Sequence, residues 1–396
     1  MKYLVGMIFL LAVALQIHNV WLFNPEFGFD GRGHIEYLTY IKENHRLPLP
    51  HEGWELYQTP LYYLLATPAY LAGGLKAVQI QNIAYYVAYI TLAGYLVNRL
   101  FDKNRDTGYI ASLTLLALPI VNYLVPMISN EFANDMIVGV SLLWMMIYPY
   151  TIGLVIMLVV GFYTKYTVLT LGPSYLMALI LEKKRSLARI VLYGSIFTLL
   201  VSPIILRNIA YYQTPLAIAT KFFPYSAPKV PRNIDFFTNM SWIVRGDIFN
   251  AHHYSLLGGT WNSFWHDGYR IVVPVVSFHK KAFGLWLLGF PLTLISVWGW
   301  KLLYKRKKQV FIVSMTYLAT AIGAYIYYNL MLPYPSELKA FFMSGLPIVY
   351  MLGVVGSYSY EVRLRKIIVM LLLALFGLMI SYFWIAPWWH ITGSFG

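Results

Sequence analysis

Long apolar runs alternate with short polar breaks along the whole chain. Runs of spanning length cover 3–22, 76–98, 108–126, 132–149, 150–163, 166–181, 187–206, 282–301, 309–329, 338–357 and 366–386. A membrane-crossing helix needs roughly 20 predominantly apolar residues for a ~30 Å hydrocarbon core. The pattern therefore predicts an all-α polytopic membrane protein, with 150–163 the shortest span. One further stretch, PLYYLLATPAYLAGG at 60–74, is apolar but short and is broken by Pro68. It reads as a half-helix or surface helix that does not cross, which gives eleven spans. If the rule that basic loops stay inside is broken once, there are twelve or thirteen.

Composition agrees with that class. Of 396 residues 59% are apolar and 12% charged, with a mean hydropathy of +0.59. Soluble domains average about 45–50% apolar and about 25% charged, so a soluble globule is excluded. The chain has no cysteine, which rules out disulfides and thiolate metal sites. The N-terminal MKYLVGMIFLLAVALQIHNVWLF shows no small-residue cleavage site before the first polar loop and reads as an uncleaved first span rather than a signal peptide.

Charge fixes the expected topology. Four basic clusters, NRLFDKNR, EKKRSLAR, KLLYKRKK and EVRLRK, together with Lys2, hold 16 of the 30 Lys and Arg residues and only Asp102, Asp106, Glu182 and Glu361 among the acids. Cytoplasmic loops collect Lys and Arg. These clusters are expected inside, with the N-terminus inside, the C-terminus outside and the chain in the cytoplasmic (inner) membrane. The net charge of +14 is then a topology signal; a nucleic-acid surface would gather its charge on one face instead of several short loops. No repeat, linker or soluble C-terminal domain is apparent. The expectation is one integral domain, 1–396, with large outer loops at 23–75 and 207–281.

The first of these loops is the most polar part of the chain. Within GRGHIEYLTYIKENH, Ile35, Leu38 and Ile41 recur at helical spacing beside Tyr37 and Tyr40. This suits an amphipathic helix lying on the membrane surface. Asp30 precedes it, where a carboxylate either caps the helix N-terminus or is left for chemistry. Asp30 and His34 stand four residues apart, the spacing of one helix face.

The order of these motifs resembles the GT-C superfamily of membrane glycosyltransferases, in particular the polyprenyl-phosphate-sugar branch related to protein O-mannosyltransferases and lipid A aminoarabinose transferase. The resemblance is carried by one span, Asp-x-x-x-His on a surface helix, LPLPHEGWE and YQTPLYYLL. It continues through SNEFAND (129–135), GFYTKYTVL (161–169), RNIAYYQTPL (207–216) and TWNSFWHDGYR (260–270). It covers the chain to about residue 280 and is looser beyond. It implies a donor sugar on a polyprenyl phosphate, transfer with inversion to an acceptor hydroxyl on a glycan, lipid or protein, and an active site on the outer face. It places the catalytic acid of the first outer loop at Asp30. The second carboxylate common in the family is absent from the next position, which is Gly31, and Thr59 replaces the first proline of the usual QPPLYY.

That chemistry needs a carboxylate to take the acceptor's proton and cations to receive the leaving phosphate. Asp30 is the expected base. His34, Glu131 and Asp135 are supporting residues, the latter two at the mouth of the span 132–149, where acids either function or cap. Lys165 and Lys339 are the first candidates for the donor phosphate: Lys165 matches the family's Lys-Tyr-Thr, and Lys339 stands where relatives often place an arginine. Arg207 and Arg270 complete the set, with Arg32 and Arg245 as further outer-face cations. The alternative for either lysine is a side chain that snorkels to the interface. Tyr62, Trp261 and Trp265 are candidates for sugar stacking or an interface belt. No cofactor is expected; a divalent metal held by Asp30, His34, Glu131, Asp135, His252 and His253 stays open, although no spacing demands it. A transporter or flippase of a lipid-linked glycan, and a glycan polymerase or ligase, are the alternative functions. The first of these is disfavoured because charge gathers in outer loops instead of the midplane.

Overall fold

The computed structural model describes residues 1–102, 105–182, 186–217, 229–273 and 279–385. Among them all regular structure is helical. Six helices are long and apolar enough to cross a membrane. They are α1 (Lys2–Leu22), α3 (Leu61–Leu100), α9 (Leu187–Tyr212), α13 (His279–Arg306), α14 (Lys308–Met331) and α16 (Arg365–Phe383). The remaining apolar runs form shorter helices: α4 (Arg105–Ala117), α5 (Pro119–Tyr123), α6 (Glu131–Ile147), α7 (Ile152–Thr164), α8 (Gly172–Leu181) and α15 (Leu346–Tyr360). The surface helix is α2 (Gly31–Asn44). The second loop carries α10 (Ile234–Thr238), α11 (Ser241–Arg245) and α12 (Leu256–Trp265).

Three of the expected spans start or break differently from the apolar pattern. The run 166–181 opens as a 3₁₀ helix, Tyr166–Leu171, and is α-helical only over Gly172–Leu181. The run 108–126 is interrupted between α4 and α5 at Pro119, whose missing N–H cannot continue the ladder. The run 338–357 is helical only from Leu346; before it, Pro335–Glu337 and Ala340–Phe342 form two 3₁₀ turns. Those turns, which an apolar count cannot see, carry Lys339.

The 60–74 segment behaves as a short separate helix. Helical hydrogen bonding runs through Leu61–Leu100, but Gly73 (φ −150°, ψ 20°) and Gly74 (φ 66°, ψ −160°) leave the helical region. The stretch 61–72 before this kink extends about 18 Å at 1.5 Å per residue, short of a ~30 Å core. Both its ends lie at the same end of the bundle. Lys76, just past the kink, donates to the carbonyls of Val20 and Phe23 at the end of α1, each at 2.7 Å. Tyr63, just after the start, meets His34 of α2.

Described members of the basic clusters gather at the opposite end. Lys307 Nζ donates to the Leu100 carbonyl at 3.0 Å and to Asp102 Oδ2 at 2.8 Å. Phe101 and Tyr360 meet ring to ring at 6.3 Å. Arg189 lies over the Tyr150 ring in the α6–α7 turn. One apolar core runs from α1 to α16. Its tightest crossing is between α13 and α15. A side chain at Gly299 would overlap the Gly353 carbonyl, and Ser296 and Ser357 donate across the interface to the Tyr350 and Ile295 carbonyls at 3.0 and 2.6 Å. Small residues let backbones approach where lipid supplies no hydrophobic drive between helices.

α2 is present as its periodicity predicts, but rotated. Its buried face is His34, Tyr37 and Leu38, with Ile35 and Ile41 only partly covered. The reason is aromatic: Tyr37 stacks on Tyr63 at 3.7 Å with the rings 2° from parallel, so the stacked pair sets the roll of the helix.

Candidate functional site

Several polar residues converge at the end of the bundle opposite the basic clusters. Asp30 occupies the N-cap position of α2 in the left-handed region (φ 55°, ψ 24°), yet its side chain makes no capping bond. It is exposed. Only its backbone carbonyl enters the helix ladder, accepting from His34 N at 3.1 Å. The capping role that its position suggests is not performed by the carboxylate.

His34 lies one turn on and is 3% exposed. Its Nδ1 stands 2.7 Å from the Tyr63 hydroxyl. Burial, and secondarily Lys165, outweigh the Asp30 carboxylate and hold its imidazole neutral, with its pKa pulled from 6.5 to about 4. Glu55 sits beneath the first turn of α2, also 3% exposed. A Cβ on Gly33 would come within 2.5 Å of Glu55 Cγ, so the helix rests directly on it. Gln58 Nε2 donates to Glu55 Oε2 at 2.8 Å, and Gln58 Oε1 accepts from Asn130 Nδ2 at 3.1 Å. Burial, with Asp30 and Glu131 nearby, pushes the Glu55 carboxyl up to about 8. The outer rim of the loop is clamped separately. Glu52 accepts from Arg46 at 2.6 Å, from Tyr40 at 2.8 Å and from the Leu49 backbone. The Arg46 guanidinium beside it holds that carboxyl down at about 2.

The cationic side of the site comes from α7 and the 3₁₀ turns. Lys165 ends α7 in extended backbone (φ −164°, ψ 139°), which turns its side chain out of the helix row. It forms an ion pair with Glu131, the first residue of α6. Both are largely buried, at 14% and 8% side-chain exposure, and Glu131 gains from the free N–H groups of the helix start. Lys339 is buried in a cage of rings. Its ammonium lies 4.3 Å from the Phe29 ring centre, 5.5 Å from Phe342 and 5.7 Å from Tyr269 and Phe341. Among the described residues it has no carboxylate within ion-pair distance. The Phe342 ring is shared: Lys165 Nζ stands 5.6 Å from its centre. Two ammonium groups therefore approach one phenyl ring, and Phe29, in contact with Lys339, immediately precedes Asp30.

The other residues singled out by the sequence lie elsewhere. Asp135 is one turn deeper in α6 and accepts from the Gly345 backbone N–H at 2.6 Å. It fastens α6 to the start of α15 and does not join the cluster. Arg207 donates to the Pro48 carbonyl, tying α9 to the first loop. Arg270, in the left-handed region, lies 4.2 Å over the Phe249 ring beside His266. Tyr62 and Trp265 are each 1% exposed and packed in the core; the Trp265 indole is closed by Gly289. Trp261 is partly buried, 4.5 Å from Phe290 and 5.7 Å from Trp265, and lines an apolar cleft of about 320 Å³ with them. His252 meets the Tyr269 ring at 4.7 Å and the His253 ring at 4.1 Å, both tilted. Among the described residues no three His, Asp or Glu side chains gather as a metal-binding group.

Glu55 is the residue that sequence reasoning passed over. It lies in LPLPHEGWE, a loop without periodicity, among five other acids of the same region. Gly33, in the first turn after Asp30, was the available signal, since its missing side chain is what lets the carboxyl lie under α2.

Chemically the arrangement offers one exposed carboxylate at its mouth, a neutral imidazole, a buried carboxyl and a pair of buried ammonium groups. No family model, curated protein or solved structure matches this chain.

Proposed function

We propose that this chain is an integral membrane glycosyltransferase of GT-C-like architecture, moving a sugar from a polyprenyl-phosphate donor to an acceptor hydroxyl. On this reading about eleven helices cross the inner membrane, the basic end faces the cytoplasm, and the site lies on the outer face. The observation that carries it is the approach of Lys165 and Lys339 to the same Phe342 ring, together with the uncapped carboxylate of Asp30, which follows Phe29 in the Lys339 cage. A buried ammonium held only by rings is costly unless an anion completes it. A lipid phosphate carried at the end of a membrane bundle is such an anion.

The chemistry follows from the residues. The acceptor oxygen forms a bond to the anomeric carbon while the bond from that carbon to the phosphate oxygen breaks, with inversion. The hydroxyl proton passes to Asp30, a contribution of roughly 10²–10⁴-fold for a positioned base. The phosphate leaves as an anion onto Lys165 and Lys339, which favour the charge that develops there. His34, neutral and fixed by Tyr63, orients without adding charge.

Mass spectrometry of cell-envelope glycans tests the reading. A deletion strain should lack one sugar substituent, the wild-type gene should restore it, and Asp30→Asn should not. Restoration by Asp30→Asn to the wild-type level would remove the base from the proposal. An unchanged glycan profile in the deletion strain would remove the transferase.

A further inference from the structure

Glu55 has no part in the transfer described above, yet it is buried within electrostatic reach of Asp30, Lys165 and Glu131. On its α2 side stand Asp30 and His34, with Glu36 further along that helix against Gly53. From α3 comes Tyr63, from α6 Glu131, and from the end of α7 Lys165. The neutral amide of Gln58 donates to Glu55, and the oxygen of that amide is committed to Asn130. Lys165 is already paired with Glu131. The charges balance: Lys165 and Lys339 against Asp30 and Glu131 sum to zero, and an ionised Glu55 makes the site net negative.

We propose that Glu55 is a positioning residue that sets the charge of the anion site: as a neutral carboxyl it leaves the two lysines able to hold a phosphodiester, and as a carboxylate it turns the site against one. The geometry favours the neutral form. A third carboxylate in this space, 3% exposed beneath Gly33 and bonded to the neutral amide of Gln58, has no ion-pair partner of its own among the described residues. Desolvation and the two neighbouring acids act in the same direction, which raises its pKa from 4.5 to about 8. The inference rests on the reading of Lys165 and Lys339 as a lipid-phosphate site and names what regulates that site.

The test is binding of dibutyl phosphate, a diester whose own charge is constant across neutral and alkaline pH, to the purified full chain by calorimetric titration. Wild-type affinity should fall about tenfold between roughly pH 6.5 and 9.5, the effect of one added charge at close range, with a midpoint near the Glu55 value of about 8. Glu55→Gln, which keeps the shape and removes the ionisation, should bind with little change across the same range. Gln58→Met removes the donor that favours the ionised carboxyl, so its midpoint should move to higher pH; this variant also decides the matter if Glu55→Gln does not fold. A pH-independent wild type, a Glu55→Gln protein that retains the midpoint, or an unmoved midpoint in Gln58→Met would each overturn the assignment of Glu55 while leaving the anion site standing. Absence of diester binding at every pH would instead remove the anion site, and the role of Glu55 with it.

Discussion

Gly33 of α2 lies directly on Glu55: a methyl group on its α-carbon would stand 2.5 Å from Glu55 Cγ and 2.9 Å from its Cβ, with Trp54 Cδ1 also at 2.9 Å. Helix, loop and buried carboxyl are thus fitted at one point, and the neighbours are packed side chains with little room to give. Gly33→Ala should destabilise the protein by about 1–3 kcal/mol through overpacking and should lift α2 off the site. The expected outcome is a lowered melting temperature in detergent together with loss of glycan transfer in complemented cells. An alanine protein with wild-type melting and transfer would show that α2 does not bear on Glu55.

Asp30→Asn separates a base from a cap more cleanly than position alone suggests. Asp30 is left-handed at φ 55°, a conformation asparagine also tolerates. Its side chain makes no capping bond to lose. Stability should therefore be unchanged within about 0.5 kcal/mol, while transfer falls by roughly 10²–10⁴-fold. Measured melting and measured transfer should part company in this variant.

The bundle was legible in the sequence because a ~30 Å apolar layer leaves a long, simple signature. Even the separate short helix at 61–72 could be read from its length, Pro68 and the glycine pair after it. The lysines were legible for a related reason: Lys165 and Lys339 stand alone at the ends of apolar runs, where a charge is conspicuous. What the pattern does not encode is roll and depth. It cannot tell that the Tyr37–Tyr63 stack turns α2 toward His34, that Asp135 points to the Gly345 N–H while Glu131 one turn earlier meets Lys165, or that Trp265 closes on Gly289. Glu55 was hidden because nothing local marks a loop acid as buried; its environment is assembled from α2, α3 and α6.

Stability should vary with pH in two opposed ways. The unfolded chain ionises Glu55 from about 4.5, while the folded protein keeps its proton to about 8, so this group makes stability fall as pH rises through that window. The unfolded chain protonates His34 below 6.5, while the folded protein does not until about 4, so this group makes stability fall as pH drops through its window. Between 4.5 and 6.5 these two contributions nearly cancel each other, and above 6.5 the Glu55 contribution continues at about 1.4 kcal/mol per pH unit. His252 and His266 are also buried neutral and add to the loss of stability in acid, so each contribution is read as a difference between wild type and variant in detergent melts. The stability of Glu55→Gln relative to wild type should rise with pH between 4.5 and 8. That of His34→Gln relative to wild type should rise as pH drops from 6.5 to 4.

Sidedness can be read directly because the chain has no cysteine of its own. Arg32 of α2, with a side chain 83% exposed, and Arg363 of the basic end, also exposed, stand at opposite ends of the bundle. With single cysteines at each position, an impermeant thiol reagent should label Arg32→Cys in intact cells and Arg363→Cys only after lysis. The reverse pattern would put the basic end outside and the site in the cytoplasm.

Lys165 has two roles to separate, since it pairs with Glu131 and also faces the Phe342 ring. Removing it as Lys165→Gln strands a buried carboxylate, which costs about 3–5 kcal/mol when a pair is broken on one side only. The double variant Lys165→Gln with Glu131→Gln removes both charges and should recover most of that stability. Diester binding should not recover with it, because the cation that receives the phosphate is still missing. Lys339→Gln provides the complement: its ammonium is buried with no carboxylate partner among the described residues, so removing the charge should leave stability unchanged or raise it. Its loss of dibutyl phosphate affinity should nevertheless be about tenfold or more. If the double variant regains both stability and binding, Lys165 serves only to neutralise Glu131, and Lys339 alone remains as the cation for the phosphate.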